Sequence, residues 1–312
     1  MIEAENLSKR YGAKVAVNGI SFRVEPGTVT GFLGPNGAGK STTMRMIVGL
    51  DAPTSGRVTV NGKSYAQHAA PLHEVGALLE AKAVHTGRSA RNHLRALAAT
   101  HGMGDKRVDE VIEMTGLGAV ASKRVGGFSL GMGQRLGIAA AMLGDPRTLI
   151  LDEPVNGLDP EGVKWVRTMV RYLADDGRTV FLSSHLMSEM AITADHLIVI
   201  GRGSIITSGP VQDVIDATSG TSVTVRTPGA AQLAELLAGA GVSITAAEPG
   251  VITVRGLDAA TIGETAARNG VALHELTPVR ASLEEAFMTL TAGEVEYHSG
   301  ANQHAIQDGA AA

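Results

Sequence analysis

The 312-residue sequence predicts an α/β protein, a parallel-sheet domain carrying a glycine loop and then a smaller α+β domain. Three observations predict it. A short apolar run, Val29–Leu33, leads into Gly34-Pro35-Asn36-Gly37-Ala38-Gly39-Lys40-Ser41 and then into a helix-like segment, Ser41–Leu50. Two more apolar runs, Thr148–Leu151 and Thr179–Leu182, flank a helical segment at Glu161–Ala174, the pattern of a βαβ unit. Beyond residue 222 the strand and helix patterns follow the order βαββαβ, the split arrangement of ferredoxin-like folds. Hydrophobic residues make up 44% of the chain, enough for a core.

The elements follow in order. Residues 2–25 and 57–61 alternate apolar and polar side chains between turn signals and read as a small antiparallel sheet beside the glycine loop. Residues 88–144 form a helical insertion, with helices expected at Arg88–His101, Lys106–Met114 and Met132–Leu143, separated by glycines. Leu197–Gly201 and Ser204–Thr207 make a closing hairpin. The first domain is expected to span 1–217, with Thr218-Ser219-Gly220-Thr221-Ser222 as a linker and 223–291 as the α+β accessory domain. Within that domain the expected strands are Ser222–Arg226, Val242–Ala247, Val251–Arg255 and Val271–Leu276. The expected helices are Ala230–Ala238, Ala259–Ala267 and Ser282–Leu290. Residues 292–312 read as a flexible tail, in which His298 and His304 are expected to be tail histidines rather than metal ligands.

Bulk properties exclude several functions. The formal net charge of −4 leaves no polycationic footprint for nucleic acid. The acidity is concentrated late: residues 223–312 hold 4 Lys or Arg against 10 Asp or Glu, expected to form a solvated face. The absence of cysteine rules out disulfides, thiolate zinc sites and a thiol nucleophile, and it fits a reducing cytoplasm. Met1-Ile2-Glu3-Ala4-Glu5 has no basic region followed by an apolar one, so no secretory signal is expected. No apolar run approaches the roughly 18–20 residues that cross a bilayer, so any membrane span is expected from another chain.

The chemistry starts at Gly34–Ser41, which has the Walker A spacing of a P-loop. Its glycines let backbone N–H groups wrap phosphates, and the following helix adds the positive end of its dipole. Lys40 supplies a cation for the β- and γ-phosphates, and Ser41 a hydroxyl for Mg²⁺. Gly34, Pro35, Asn36, Gly37, Ala38, Gly39, Lys40, Ser41 and the adjoining Thr42 form the expected nucleotide-binding set. Asp152 ends an apolar strand, where a P-loop fold places a Mg²⁺-holding carboxylate. Neighbouring side chains in extended chain point different ways. Glu153 is therefore free to reach the attacking water and is the candidate general base.

Three further blocks and two single residues give a family resemblance. Phe128-Ser129-Leu130-Gly131-Met132-Gly133-Gln134-Arg135 resembles the signature sequence of ABC ATPases, ordinarily Leu-Ser-Gly-Gly-Gln, with Ser129 and Gly131 matching and Leu130 and Met132 departing from it. Gly157-Leu158-Asp159 resembles the D-loop, and His185 in Ser183-Ser184-His185 the switch histidine that contacts the γ-phosphate. Tyr11 matches the aromatic residue that stacks on adenine. Glu80 stands where the family has a glutamine, a position that serves Mg²⁺ and water, and Glu80–Arg91 would be where a membrane partner docks.

The resemblance covers about residues 1–215 and implies an ABC cassette that binds and hydrolyses Mg·ATP. It implies Lys40, Glu153 and His185 as catalytic residues, Ser41, Asp152 and Glu80 at the metal, and Ser129 and Gly131 completing the site of a second copy. Its Ser-Leu-Gly-Met form looks like the branch serving ABC-2-type exporters, including drug and peptide-antibiotic resistance systems. The implied partners are a second copy, as an ATP-sandwiched homodimer, and a separate polytopic permease on the inner face of the cell membrane. The alternative is a soluble ABC ATPase acting on nucleic acid or ribosomes. Such proteins usually carry tandem cassettes, zinc modules or coiled-coil arms, and this chain has one cassette, no cysteine and a net acidic charge.

Overall fold

The computed structural model describes residues 1–80, 84–218, 222–279 and 282–292. Most of the expected linker, nearly all of the expected tail with His298 and His304, and part of the expected docking segment lie outside the described residues.

In chain order the elements are β1 (Ile2–Tyr11), β2 (Lys14–Val24), β3 (Val29–Leu33), α1 (Lys40–Ile47), β4 (Ser55–Val60), α2 (Pro71–Glu74) and β5 (Val75–Leu78). The helical insertion holds α3 (Ala90–Ala99), α4 (Asp105–Met114) and α5 (Leu130–Met142). Then come β6 (Thr148–Leu151), α6 (Pro160–Asp175), β7 (Thr179–Ser183), α7 (Met187–Thr193), β8 (His196–Gly201), β9 (Ser204–Pro210) and α8 (Val211–Thr218). The C-terminal unit comprises β10 (Ser222–Arg226), α9 (Ala230–Leu237), β11 (Ser243–Glu248), β12 (Val251–Arg255), α10 (Ala259–Arg268) and β13 (Glu275–Val279), and α11 (Leu283–Thr291) follows it.

The central six-stranded sheet runs β5-β6-β7-β3-β8-β9, parallel except for β9. Strands β3, β6 and β7 are buried along their whole length, as expected for parallel strands covered on both faces. On one face Phe32 of β3, Ile150 of β6 and Phe181 of β7 meet α1 and the antiparallel sheet β2-β1-β4. Phe22 stacks there on Phe32 and Phe181 with centroids 6.1 and 5.9 Å apart, and Phe32 and Phe181 meet at a tilt, 5.1 Å apart. On the other face Leu33, Leu149, Leu151, Val180 and Leu182 join the helices of the insertion and α6. Gly31 lets α7 approach closely: a Cβ there would lie 2.5 Å from Met190 Sδ.

The C-terminal sheet is antiparallel in the order β11-β12-β10-β13. This is the strand order of the expected ferredoxin-like arrangement, with its own core around Val223, Val225, Leu233, Ile252, Val254 and Ile262. Two features differ from the sequence expectation. The last strand lies at Glu275–Val279, not Val271–Leu276. Residues 271–274 instead connect α10 to it, with Val271 N–H donating to Ala266 O and His274 N–H to Arg226 O. Pro278 falls inside β13, which an edge strand tolerates. Second, α11 was expected with the accessory domain, yet it lies against α7 and α8 and puts Leu283, Phe287 and Leu290 into the cluster of the first domain.

Candidate active site

Parallel register builds this site. Phe32 pairs with Ser183 and Leu151 with Leu182, so β3, β6 and β7 end at the same edge of the sheet. Ligands in open α/β sheets bind at that carboxyl edge. The chain leaves β3 as the glycine loop, β6 as Asp152-Glu153 and β7 as Ser184-His185.

The loop is pinned from outside. At Gly34 a Cβ would lie 2.3 Å from Ile200 O, and at Gly39, where φ is +107°, 2.5 Å from Ala16 O. Ala38 is buried, whereas Asn36 and Gly37 face solvent. Gly39 caps α1 without a side-chain hydrogen bond, so no side chain competes for the N–H groups of the first turn. Lys40 Nζ donates to Gly34 O at 2.6 Å and Pro35 O at 3.3 Å. Burial lowers the pKa of its ammonium, and the Glu153 and Asp152 carboxylates oppose that shift.

Asp152 stands between two hydroxyls. Ser41 Oγ donates to Asp152 Oδ2 at 2.6 Å and Ser183 Oγ to Oδ1 at 2.5 Å. The Ser41–Asp152 pair supplies hard oxygen donors side by side, the donor chemistry that Mg²⁺ takes. Glu153 has a left-handed backbone, φ +51°, which turns it out of the strand. Its Oε2 lies 2.7 Å from His185 Nδ1 and accepts the His185 N–H at 3.2 Å.

The structure thus gathers Gly34, Lys40, Ser41, Asp152, Glu153 and His185. Tyr11 and Thr42 form a neighbouring group. The Tyr11 phenol donates to Asp51 Oδ2 at 2.8 Å, and Arg45 Nε donates to the same oxygen at 2.8 Å. The Thr42 hydroxyl also reaches the phenol, and Lys9 Nζ sits 5.0 Å from the ring centroid. Those Arg45 and Tyr11 hydrogen bonds hold Asp51 below the usual carboxylate range.

Other expected residues stand apart. Ser129 caps α5 by accepting the Met132 N–H at 3.2 Å, and Gly131 lies against Gly157, whose carbonyl would be 2.8 Å from an added Cβ. Asp159 caps α6, accepting the Gly162 N–H at 3.0 Å, with Pro160 in the first turn. Glu80 is exposed, and its charge is felt at Arg45. Among the described residues no three His, Asp or Glu side chains cluster as a metal site.

Known proteins place this geometry. A family model described as ABC transporter matches residues 17–156. The bacitracin transport ATP-binding protein BcrA of Bacillus licheniformis is 41% identical over 213 residues, 67% of this chain and 70% of that protein. The chain belongs to the ATP-binding subunits of ABC transporters. It is similar also to the linearmycin resistance ATP-binding protein LnrL of Bacillus subtilis (strain 168), at 37% identity over 72% of this chain and 73% of that one. A solved ATP-binding subunit of an ABC transporter, 26% identical, superposes with a TM-score of 0.64 over 70% of this chain and 92% of its own. Residues 221–284 match a domain of unknown function (DUF8746). As an ABC ATPase the chain binds and hydrolyses ATP and powers a membrane transporter. Among the described residues no helix is long and apolar enough to cross a membrane.

Two residues that sequence reasoning assigned no role belong to the site. Ser183 contacts both acids, and Gln134 Nε2 donates to Glu153 O at 2.9 Å. Both lie inside quoted motifs, but only the spatial adjacency of β6, β7 and α5 gives them a partner.

Proposed function

We propose that two copies of this chain close on two ATP molecules, each site completed by Ser129 and Gly131 of the other copy, and that the cycle drives an exporter. Lys40 and the N–H groups of the loop bind the phosphates, and Tyr11 stacks on the base. Ser41 and Asp152 would hold Mg²⁺, and Glu80 would serve it through water. Bound there, Mg²⁺ neutralises charge on the phosphoryl oxygens. Glu153 takes a proton from the attacking water, and His185 positions its carboxylate. Positioning and electrostatics supply most of the catalysis in such transfers.

The single observation that carries this reading is the Ser41–Asp152 contact with the Glu153–His185 contact beside it, which brings the loop, the β6 end and the β7 end together. The exporter reading rests on relatives named for bacitracin transport and linearmycin resistance. It makes the cargo an antibiotic or lipid-like amphiphile selected by the permease. The chain then sits on the cytoplasmic face of the cell membrane.

Glu153→Gln tests the chemistry: ATP binding should persist, turnover should fall about 10²–10⁴-fold, and ATP should trap a dimer on size exclusion. Near-wild-type turnover removes Glu153 from the role. Affinity capture from native membranes tests the partner. A polytopic membrane protein retained by the ATP-loaded variant supports the transporter assignment, and recovery of ribosomes or nucleic acid alone overturns the export reading.

A further inference from the structure

Glu153 is a non-glycine residue in the left-handed region, φ +51°. Such residues persist only where their surroundings over-determine them. Here two buried side chains do so, one on each side of its Cα. Ser183, fully buried, accepts the Glu153 N–H at 2.9 Å while its own hydroxyl donates to Asp152 Oδ1. Gln134, 3% exposed, donates from Nε2 to Glu153 O at 2.9 Å. The first bond orients the peptide plane before Glu153 and the second the plane after it. Fixing both planes fixes φ and ψ, and those angles send the carboxylate to His185.

We propose that Ser183 and Gln134 are positioning residues that clamp the Glu153 peptide and so aim its carboxylate; this rests on the reading of Glu153 as general base. Ser183 occupies its place by register. It pairs with Phe32, and its β7 neighbour Leu182 pairs with Leu151, so Ser183 lies beside Asp152. Gln134 reaches Glu153 from α5, the helix that Ser129 caps. In the proposed dimer Ser129 serves the site of the other copy, so Gln134 ties the base of one site to the signature helix of the second.

The test compares Gln134→Met, of similar volume but without a donor, Ser183→Ala, and Ser183→Thr, which keeps the hydroxyl. Each is measured by single-turnover ATP hydrolysis and by nucleotide binding, alone and on a Glu153→Gln background. We expect Gln134→Met and Ser183→Ala to lower the hydrolysis rate about 10–100-fold with ATP affinity held within about three-fold, and threonine to restore most of the loss. On the Glu153→Gln background the same changes should cost little more, because the aimed group is already gone. Wild-type rates in these variants, beside a Glu153→Gln protein that has lost turnover, overturn the clamp and leave the base reading intact. Equal losses in binding and rate, or full additivity with Glu153→Gln, make the two residues generally structural and also overturn it. A Glu153→Gln protein that turns over normally removes the base reading itself.

Discussion

The two sheets of this chain hold their polar side chains differently. In the parallel sheet β3, β6 and β7 end together, and Lys40, Asp152, Ser183 and Glu153 meet within hydrogen-bond reach of one another or of the loop. The C-terminal sheet is antiparallel throughout, so neighbouring strands end at opposite edges and no edge collects their ends. It does carry a surface groove of about 830 Å³ between α9 and the β11–β12 hairpin. That groove is lined by Ala230, Ala234, Ala238, Val242 and Ile244, and among its described lining residues Glu248 alone is charged. Volume without convergent polar groups is no catalytic site. Chemistry in this molecule follows strand direction, and the same chain carries a sheet of each kind.

The largest effect expected from this contrast is at Lys40. Lys40→Ala removes the one cation seated in the loop and should lower ATP hydrolysis by about 10²–10³-fold or more, read by phosphate release, while leaving thermal stability nearly unchanged. A comparable loss from any surface change in the groove, such as Ala234→Ser, would break the division between the two regions.

Stability should divide in the opposite way. Leu233 of α9 is fully buried in the C-terminal core. Leu233→Ala should cost that unit about 2–5 kcal/mol in a calorimetric scan with ATPase activity retained. An inactive cassette in a folded Leu233→Ala protein would mean that the unit acts on catalysis directly.

Much of this arrangement was legible in the sequence, and the rest was hidden for identifiable reasons. Val29–Leu33, Thr148–Leu151 and Val251–Arg255 begin and end where their apolar patterns do. Strand β5, Val75–Leu78, has glycine and alanine at its centre where the equally short β6 has Leu149 and Ile150, and α7, seven residues, is too short to show a period. Helix α8 has no counterpart in the sequence reading, because its apolar residues, Val211, Val214 and Ile215, give only two turns. Ser183 and Gln134 were hidden because β7 lies between β6 and β3 in space but after both in sequence. No spacing rule links positions 134, 153 and 183. The docking of α11 was hidden because its apolar face is equally consistent with either core.

That docking gives a third, smaller effect. Phe287 of α11 is partly buried against the cassette cluster. Phe287→Ala should therefore destabilise the cassette transition, by about 0.5–3 kcal/mol, and leave the C-terminal transition in place. If only the C-terminal transition shifts, α11 belongs to the accessory unit, as the sequence alone suggested, and its contact with α7 and α8 carries little energy.

The smallest effect expected lies at the rim of the site, where Tyr11 is about half exposed and its phenol is tied to Asp51. Stacking needs the ring and not the hydroxyl. Tyr11→Phe should leave the ATP dissociation constant within about two-fold, because a hydrogen bond between exposed groups contributes little net free energy. Tyr11→Ala should raise it about 3–10-fold, the lower end of what a base stacked on an aromatic ring contributes. The rise should be similar for GTP, since every base offers a π-face. Equal weakening by both substitutions would move the contribution from the ring to the Tyr11–Asp51–Arg45 chain. Tyr11 would then act by holding α1 at its last turn through Asp51 and Arg45, the helix whose start carries Lys40 and Ser41, and not by touching the base.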